Sequence, residues 1–195
     1  MEVAEGVWLW TAEAGERPAP LDLLDDRERT RAMRYHGGKR ESFVLVHGLR
    51  RLLLAERTGV EPERFAFTAD DTGYPNPVEH GEDRWFHSLS HSGPFVAVAV
   101  AANRRLGVDI ERPREIRHRA ELAAMLRADG GDADILTAWV RWEALAKATG
   151  QGLARRLHPV PDRLTAAGRD WRVRSLPHQR AYLALVVSEG RALSS

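Results

Sequence analysis

Cysteine is absent from this 195-residue chain, which excludes disulfide bonds and metal sites built on thiolates. Lysine and arginine (29) nearly balance aspartate and glutamate (28), so the net charge of +1 does not supply the basic field that non-specific nucleic-acid binding requires. No segment at the start resembles a signal peptide, and no apolar run has the length of a membrane span. These absences predict a cytoplasmic protein that binds neither nucleic acid nor membrane.

The composition that remains, 43% hydrophobic and 29% charged, is that of a globular protein with one sizeable core or two small ones. The order strand, helices, strands occurs twice along the chain, with a division near residues 102–106. We therefore predict two lobes, 1–102 and 103–195, of α+β or mixed α/β class. The main predicted helices are Lys39–Arg57, Arg117–Ala128 and Ala133–Thr149, and the predicted strands are Val7–Thr11, Arg64–Thr68, Trp85–Ser90, Phe95–Ala102, Leu106–Ile110, Trp171–Arg174 and Tyr182–Ser188.

Two acids alternate with apolar residues in the segment Gly107-Val-Asp-Ile-Glu111. Since side chains at i and i+2 of a strand point to the same face, Asp109 and Glu111 are expected to stand side by side, with the apolar residues turned into a core. Adjacent carboxylates repel each other unless a cation lies between them, and oxygen ligands favour a hard cation such as Mg²⁺. The alternative is a pair of surface acids neutralised by neighbouring arginines or by solvent.

The last long helix carries Trp139, Glu143 and Lys147 at intervals of four, which places their side chains on one face. Taken alone, Glu143 and Lys147 form an ordinary surface pair across one helical turn. Taken with the two acids of the strand, they make three carboxylates and a lysine. That set suits a Mg²⁺ site on a phosphorylated substrate, because Mg²⁺ takes few protein carboxylates and completes its shell with water and phosphate oxygens.

Three basic side chains, Arg40, His47 and Arg51, lie seven and four residues apart on the first long helix and therefore share a face. They form either a solvated basic face or an anion-binding surface. Ser90 and His91 are adjacent on a strand and so point to opposite faces, which argues against a nucleophile–base pair. Hydrogen bonding to phosphate is the more economical role for these two residues, with a structural histidine as the alternative.

Three segments together resemble the signature segments of the 4′-phosphopantetheinyl transferases, in the order found in that family: Ser88-Leu-Ser-His-Ser-Gly93, Gly107-Val-Asp-Ile-Glu111 and Trp139-x-x-x-Glu-Ala-x-x-Lys-x-x-Gly-x-Gly-Leu153. The resemblance is to the larger, monomeric type, which activates the carrier proteins of peptide and polyketide synthases. It implies an α+β (α/β) fold of two pseudo-symmetric lobes in one chain, each a small sheet with a long helix.

The resemblance also implies an activity, the transfer of 4′-phosphopantetheine from the co-substrate coenzyme A to a serine of an acyl or peptidyl carrier protein, with release of adenosine 3′,5′-bisphosphate. Asp109, Glu111 and Glu143 would bind Mg²⁺ with the coenzyme pyrophosphate, and Glu143 would help to deprotonate the acceptor serine. Lys147 would stabilise or protonate the leaving phosphate. The coenzyme-binding residues implied in this way are Arg40, His47, Arg51, Tyr74, Pro75, Ser90, His91 and Lys147.

The sequence departs from the family pattern at three positions. Trp142 stands where the family usually has a lysine before the helix glutamate, and Tyr74 stands where it has the lysine of a Gly-Lys-Pro segment. Ser88 replaces a common asparagine. The loss of two cations leaves open a second hypothesis, a non-catalytic relative that binds coenzyme A or a carrier protein without turnover. Residues 112–138 are the expected carrier-facing segment.

Overall fold

The computed structural model describes residues 1–16, 20–70, 74–128, 130–150 and 159–189. Gly73, Gly152 and Leu153, which belong to the motifs above, lie outside these ranges. The described α-helices are α1 (Asp26–Ala32), α2 (Gly37–Thr58), α3 (Arg119–Leu126) and α4 (Asp132–Thr149). The strands are β1 (Glu2–Ala4), β2 (Val7–Glu13), β3 (Val78–His80), β4 (Asp83–Ser92), β5 (Phe95–Ala102), β6 (Leu106–Glu111), β7 (Arg163–Ala166), β8 (Arg169–Leu176) and β9 (Tyr182–Ser188).

Both antiparallel sheets follow the same plan. The first has the order β1-β2-β5-β4-β3 and the second has the order β6-β9-β8-β7. If β1 is set aside, each lobe runs strand, long helix, then three strands, and the last strand inserts between the first and the third. The predicted α+β class with two lobes is therefore confirmed. The predicted division after Ala102 falls in the turn between β5 and β6, and as a domain boundary it stays a prediction.

Strand β5 is apolar along its whole length because both of its faces are buried. Its three valines pack in the core that includes residues of α2, whereas its three alternating alanines join a core shared with strands of the second lobe. Small side chains on that face allow the second sheet to approach closely. None of the helices in the described ranges is both long and apolar enough to cross a membrane.

The strand predicted over residues 64–68 is wrong. The chain there forms a short 3-10 turn (Pro62–Arg64) followed by irregular backbone. The Arg51 guanidinium donates hydrogen bonds to the carbonyl oxygens of Pro62 (3.2 Å) and Phe65 (2.8 Å). These carbonyls are satisfied by a buried side chain, so the segment needs no neighbouring strand.

Gly107 allows α4 to pack directly on β6. A Cβ atom at this position would lie 2.1 Å from the carbonyl oxygen of Ala144 and 2.6 Å from the amide nitrogen of Ala148, both backbone atoms. Replacing Gly107 with Ala should therefore lower the free energy of unfolding by roughly 1–3 kcal/mol, because the helix must move away. Urea denaturation followed by tryptophan fluorescence measures this change.

Gly38→Ala is the matched control for this prediction, since a Cβ there meets nothing within 4 Å. Gly38 lies in the first turn of α2, so the added methyl group should preserve or raise stability. Equal losses in the two variants would contradict the proposed close contact between β6 and α4.

Candidate active site between the two lobes

Strand β6 is an edge strand of the second sheet, and β4 of the first sheet lies against it. The backbone N–H of Val108 donates to Ser88 Oγ (3.1 Å), and the Val108 carbonyl accepts a hydrogen bond from Lys147 Nζ (3.1 Å). The side chains of Val108 and Ile110 are buried in the shared core, as the alternation predicted. The acids of β6 therefore stand at the junction of the lobes.

The Asp109 carboxylate is bonded through one oxygen. Its Oδ1 accepts hydrogen bonds from Ser90 Oγ and from Lys147 Nζ, each at 2.7 Å. Its Oδ2 is buried and has no hydrogen-bond partner in the part of the chain that the structure describes. Lys147 also approaches the carbonyl of Leu89 (3.4 Å), so this lysine bonds across to both lobes.

Glu111 is held in a similar way. Its Oε2 accepts a hydrogen bond from Ser92 Oγ at 2.5 Å, and Arg114 Nε lies 3.7 Å from the same oxygen. The Glu111 side chain is 18% exposed, compared with 7% for Asp109, so Glu111 lies closer to the surface.

Glu143, on α4, is the third candidate acid, and its charge is coupled to those of Asp109, Glu111 and Lys147. Burial raises the pKa of its carboxyl, repulsion from Asp109 and Glu111 raises it further, and the positive charge of Lys147 opposes the increase. Asp109, Glu111 and Lys147 all influence the charge of Glu143, so the helix glutamate lies within electrostatic range of the acids of the strand, and its direct convergence with them stays a prediction. A carboxyl with a raised pKa is better suited to accept a proton.

The donor set fits a hard divalent cation. The candidate ligands are all carboxylate oxygens, and one of them, Asp109 Oδ2, is buried with no hydrogen-bond partner among the described residues. Burial and the neighbouring negative charges raise the pKa of Glu143. No group of three or more His, Asp or Glu side chains within the described ranges is already arranged around a metal position. Binding of Mg²⁺ by Asp109, Glu111 and Glu143 therefore stays a prediction, although these residues suit the ion.

Ser90 and His91 lie where their alternation places them. Ser90 faces Asp109, whereas His91 is exposed and makes no hydrogen bond in the described part of the chain. Desolvation lowers the pKa of His91, the charges of Lys147 and Lys39 lower it further, and Glu111 opposes this. The positive charges of Lys147 and Lys39 near this imidazole suit an anionic ligand.

The predicted basic face of α2 requires a correction. Arg51 is completely buried, and its guanidinium bonds to Glu28 (2.7 Å) and Asp25 (3.0 Å). His47 Nδ1 also hydrogen-bonds to Glu28 (2.9 Å), which Arg50 contacts as well. The anion bound by this face is therefore the protein's own carboxylate, and Arg51 is not accessible to a coenzyme phosphate. Arg40 is exposed at the start of the helix, and its coenzyme role stays a prediction.

Tyr74 is 6% exposed and packs in the core shared by the lobes. Its ring lies 4.2 Å from the Arg105 guanidinium and beside Gly150, where an added Cβ would approach the ring to 3.2 Å. Pro75 is half-buried and forms an isolated bridge with Ala69. Contacts of Tyr74 and Pro75 with coenzyme A stay predictions.

Trp142 is also buried, in the core of the second lobe, with its ring 5.4 Å from that of Trp139. A lysine usual in the family is thus replaced here by a side chain that packs in the core of the second lobe.

Sequence reasoning missed Ser92 and Lys39 as contributors to the site, and it missed the hydrogen bond by which Ser88 holds the backbone of β6 beside it. The signal for the serines was present, because Ser88, Ser90 and Ser92 alternate along one strand face in the same way as Asp109 and Glu111. Their partners lie about twenty residues away, however, and only the packing of β4 against β6 identifies them.

A cavity of about 730 Å³ opens beside this centre. Its walls come from the segment after β6, from α3 and from Trp139, one turn before Glu143 on α4. Arg112, Arg114 and Arg117 contribute cationic groups, and Met125 is an exposed apolar side chain within it. The cavity lies in the segment 112–138.

Glu28 makes the stability of the first lobe sensitive to acid. Burial alone would raise the pKa of its carboxyl, but the hydrogen bond with His47 and the charges of Arg50 and Arg51 lower it from 4.5 to about 2. The Glu28 carboxyl therefore binds a proton more tightly in the unfolded chain than in the folded chain. Glu28 contributes its full stabilisation above about pH 4.5 and loses it as the pH falls toward 2, an effect on the order of 3 kcal/mol.

Urea denaturation of the unmodified chain and of Glu28→Gln between pH 7 and pH 3 tests this prediction. The variant should be less stable at pH 7 and should lose less stability on acidification. Parallel pH profiles for the two proteins would show that Glu28 is not the group that titrates.

The fold and the site together define a two-lobed α+β protein with a carboxylate–lysine centre between its lobes. No family model matches the chain. The chain is 28% identical over 171 residues to the 4′-phosphopantetheinyl transferase HetI of Nostoc sp. strain PCC 7120, and the alignment covers 78% of this chain and 72% of HetI. The chain is thus a relative of a 4′-phosphopantetheinyl transferase, and the resemblance predicted from its three segments is confirmed.

Proposed function

We propose that this chain transfers the 4′-phosphopantetheine group of coenzyme A to a serine of an acyl or peptidyl carrier protein, in a Mg²⁺-dependent reaction that releases adenosine 3′,5′-bisphosphate. The relationship to HetI supports phosphopantetheinyl transfer as the general activity. The observation that carries the specific proposal is the contact between Lys147 and Asp109 at the lobe junction, with Glu143 within electrostatic range of both.

The chain supplies a base for the acceptor. A serine hydroxyl is a weak nucleophile until its proton is removed. Glu143 is suited to accept that proton, because burial and the neighbouring Asp109 raise the pKa of its carboxyl. The serine oxygen then forms its bond to the β-phosphorus of coenzyme A.

The chain also supplies charge for the leaving group. As the new bond forms, the bond from the same phosphorus to the oxygen of the departing adenosine 3′,5′-bisphosphate breaks, and negative charge develops on that oxygen. Lys147 Nζ, held beside Asp109, stabilises this charge or donates a proton to it. Asp109, Glu111 and Glu143 would hold Mg²⁺, which when bound supplies positive charge at the diphosphate.

The two substrates have separate places in this proposal. Lys39 and Arg40, both exposed at the start of α2, would supply positive charge to the phosphates of the coenzyme, and His91 would supply a hydrogen-bonding imidazole. The cavity between the segment after β6, α3 and Trp139 would receive the carrier protein. Its arginines and the exposed Met125 suit an acidic, amphipathic helix. We infer a monomeric enzyme from the family resemblance, and the cytoplasmic location stays a prediction from the sequence.

The second candidate, a non-catalytic relative, depended on Trp142 and Tyr74 in place of lysines. Both side chains are buried in cores, so these two residues contribute to packing in this chain. The absence of two cations is still the feature that favours this candidate, and it predicts binding of coenzyme A without turnover.

One experiment decides between the two candidates. The purified chain is incubated with coenzyme A, MgCl₂ and a panel of apo carrier proteins, and the carrier mass is measured. The proposal expects a mass gain of one phosphopantetheine group, which disappears when EDTA replaces Mg²⁺. Calorimetric binding of coenzyme A with no mass gain on any carrier would favour the non-catalytic candidate instead.

A further inference from the structure

Three serines, Ser88, Ser90 and Ser92, form a row on one face of β4, which we call the serine row. Each hydroxyl reaches across the lobe junction to β6. Ser88 accepts a hydrogen bond from the backbone of Val108, whereas Ser90 and Ser92 donate to carboxylates. The row therefore has one member that bonds to backbone and two that bond to the candidate metal ligands.

In both carboxylate contacts, the serine hydroxyl bonds to only one of the two carboxylate oxygens. Ser90 bonds to Oδ1 of Asp109, and Lys147 bonds to that same oxygen, so Oδ2 is left buried without a partner in the described ranges. Ser92 likewise bonds to a single oxygen of Glu111, Oε2. A carboxylate held through one oxygen has a fixed rotation, and the direction of its second oxygen is set as well.

Burial of the site strengthens the influence of the serine hydroxyls on the orientation of the carboxylates. The Asp109 side chain is 7% exposed and Ser90 is buried, so water cannot replace the hydroxyl as a donor. An unpaired oxygen in such a position is costly unless a ligand takes it. The serines belong to the first lobe and the acids to the second, so the orientation of the acids depends on how the lobes pack.

We propose that Ser90 and Ser92 are positioning residues, which orient Asp109 and Glu111 across the lobe junction for a divalent cation. The inference rests on the proposed function, in which these two acids bind Mg²⁺. It gives Ser90 a role toward a carboxylate, whereas the family resemblance assigned it to a coenzyme phosphate. Hydrogen bonds to metal-binding carboxylates typically contribute 10- to 100-fold to metal affinity.

The test measures cation binding directly, in the absence of coenzyme A, so that a lost phosphate contact has no influence. Mn²⁺, which has a similar preference for oxygen ligands, is titrated into the full chain, and free Mn²⁺ is followed by electron paramagnetic resonance. Ser90→Ala and Ser92→Ala should each raise the Kd for Mn²⁺ about 10-fold or more. Ser92→Thr keeps the hydroxyl and should restore the affinity.

Ser88→Ala is the matched control, because it removes a hydroxyl from the same row without touching a carboxylate. Its Tm should fall, since the Val108 N–H loses its acceptor, while its Kd for Mn²⁺ stays unchanged. A merely structural row would instead weaken Mn²⁺ binding in all three alanine variants in proportion to their loss of Tm.

The outcomes separate this inference from the proposed function. Unchanged Mn²⁺ affinity in both Ser90→Ala and Ser92→Ala, or an equal loss in Ser88→Ala, would overturn the positioning role alone. Failure of the unmodified chain to bind Mn²⁺ would overturn the metal site and this inference together. Weaker Mn²⁺ binding in the two variants would support the positioning role even if no carrier protein were modified.

Discussion

Glu143→Gln should reduce transfer of phosphopantetheine to a carrier protein by roughly 10²–10⁴-fold, the usual contribution of a positioned general base. The amide keeps the size and polarity of the side chain but loses the negative charge, and with it both the ability to accept the serine proton and the charged oxygen ligand proposed for Mg²⁺. The measurement is the initial rate of carrier mass gain at saturating coenzyme A and Mg²⁺.

The same substitution should leave the fold intact and should preserve or raise Tm near pH 7. Burial and the charges of Asp109 and Glu111 raise the pKa of Glu143, so its ionised form is the costly one in the folded chain. Removing that charge relieves repulsion in the absence of a cation. Activity and stability are therefore expected to change in opposite directions, a pattern typical of catalytic residues.

Glu79→Gln provides the control, because Glu79 lies on β3 with its side chain 66% exposed and pairs only with Arg84 among the described residues. Its transfer rate and Tm should equal those of the unmodified chain. Full transfer activity in Glu143→Gln would remove the proposed base, and a large fall in its Tm would identify Glu143 as a structural residue.

Arg51→Met should lower the free energy of unfolding by about 3–5 kcal/mol, the cost of breaking a buried ion pair. The guanidinium has no exposed surface, and it donates hydrogen bonds to Glu28, to Asp25 and to the carbonyl oxygen of Phe65. Its removal leaves carboxylates and carbonyls without their donor, and methionine cannot replace it. Urea denaturation followed by tryptophan fluorescence measures the loss.

Arg40→Met is the matched variant on the same helix. Arg40 is exposed, so its replacement should change the free energy of unfolding by less than about 0.5 kcal/mol. Coenzyme A affinity, measured by calorimetry, should fall for Arg40→Met and stay unchanged for folded Arg51→Met. The reverse result, a stable Arg51→Met with weakened coenzyme binding, would restore Arg51 as a phosphate ligand.

The local geometry around the site was predictable from short-range periodicity. Alternation along β6 separated two acids from two buried aliphatic residues, and four-residue spacing placed Glu143 and Lys147 on one face of α4. Neither inference needed a partner segment. The apolar run of β5 likewise predicted a central strand, because only a strand covered on both faces is apolar throughout.

The pairing of charges was not predictable in the same way. Arg51 and Asp109 are both charged residues in amphipathic segments, yet one is buried with the protein's own acids and the other retains a buried oxygen without a partner in the described chain. The Arg64–Thr68 segment has the composition of a strand, but its Phe65 carbonyl accepts a hydrogen bond from the Arg51 guanidinium and its Thr68 carbonyl accepts one from the Asn76 N–H. Each result depends on a residue distant in sequence.

By itself, therefore, the amino-acid sequence determined which residues share a face, which segments are strands or helices around the site, and the kinship with a phosphopantetheinyl transferase. The tertiary structure decided what each polar group bonds to. Lys147 bonds to Asp109, 38 residues away, and Ser90 reaches the same acid across 19 residues. Backbone periodicity acts over a few residues, whereas a hydrogen bond requires contact in space, and here the packing of two lobes creates that contact.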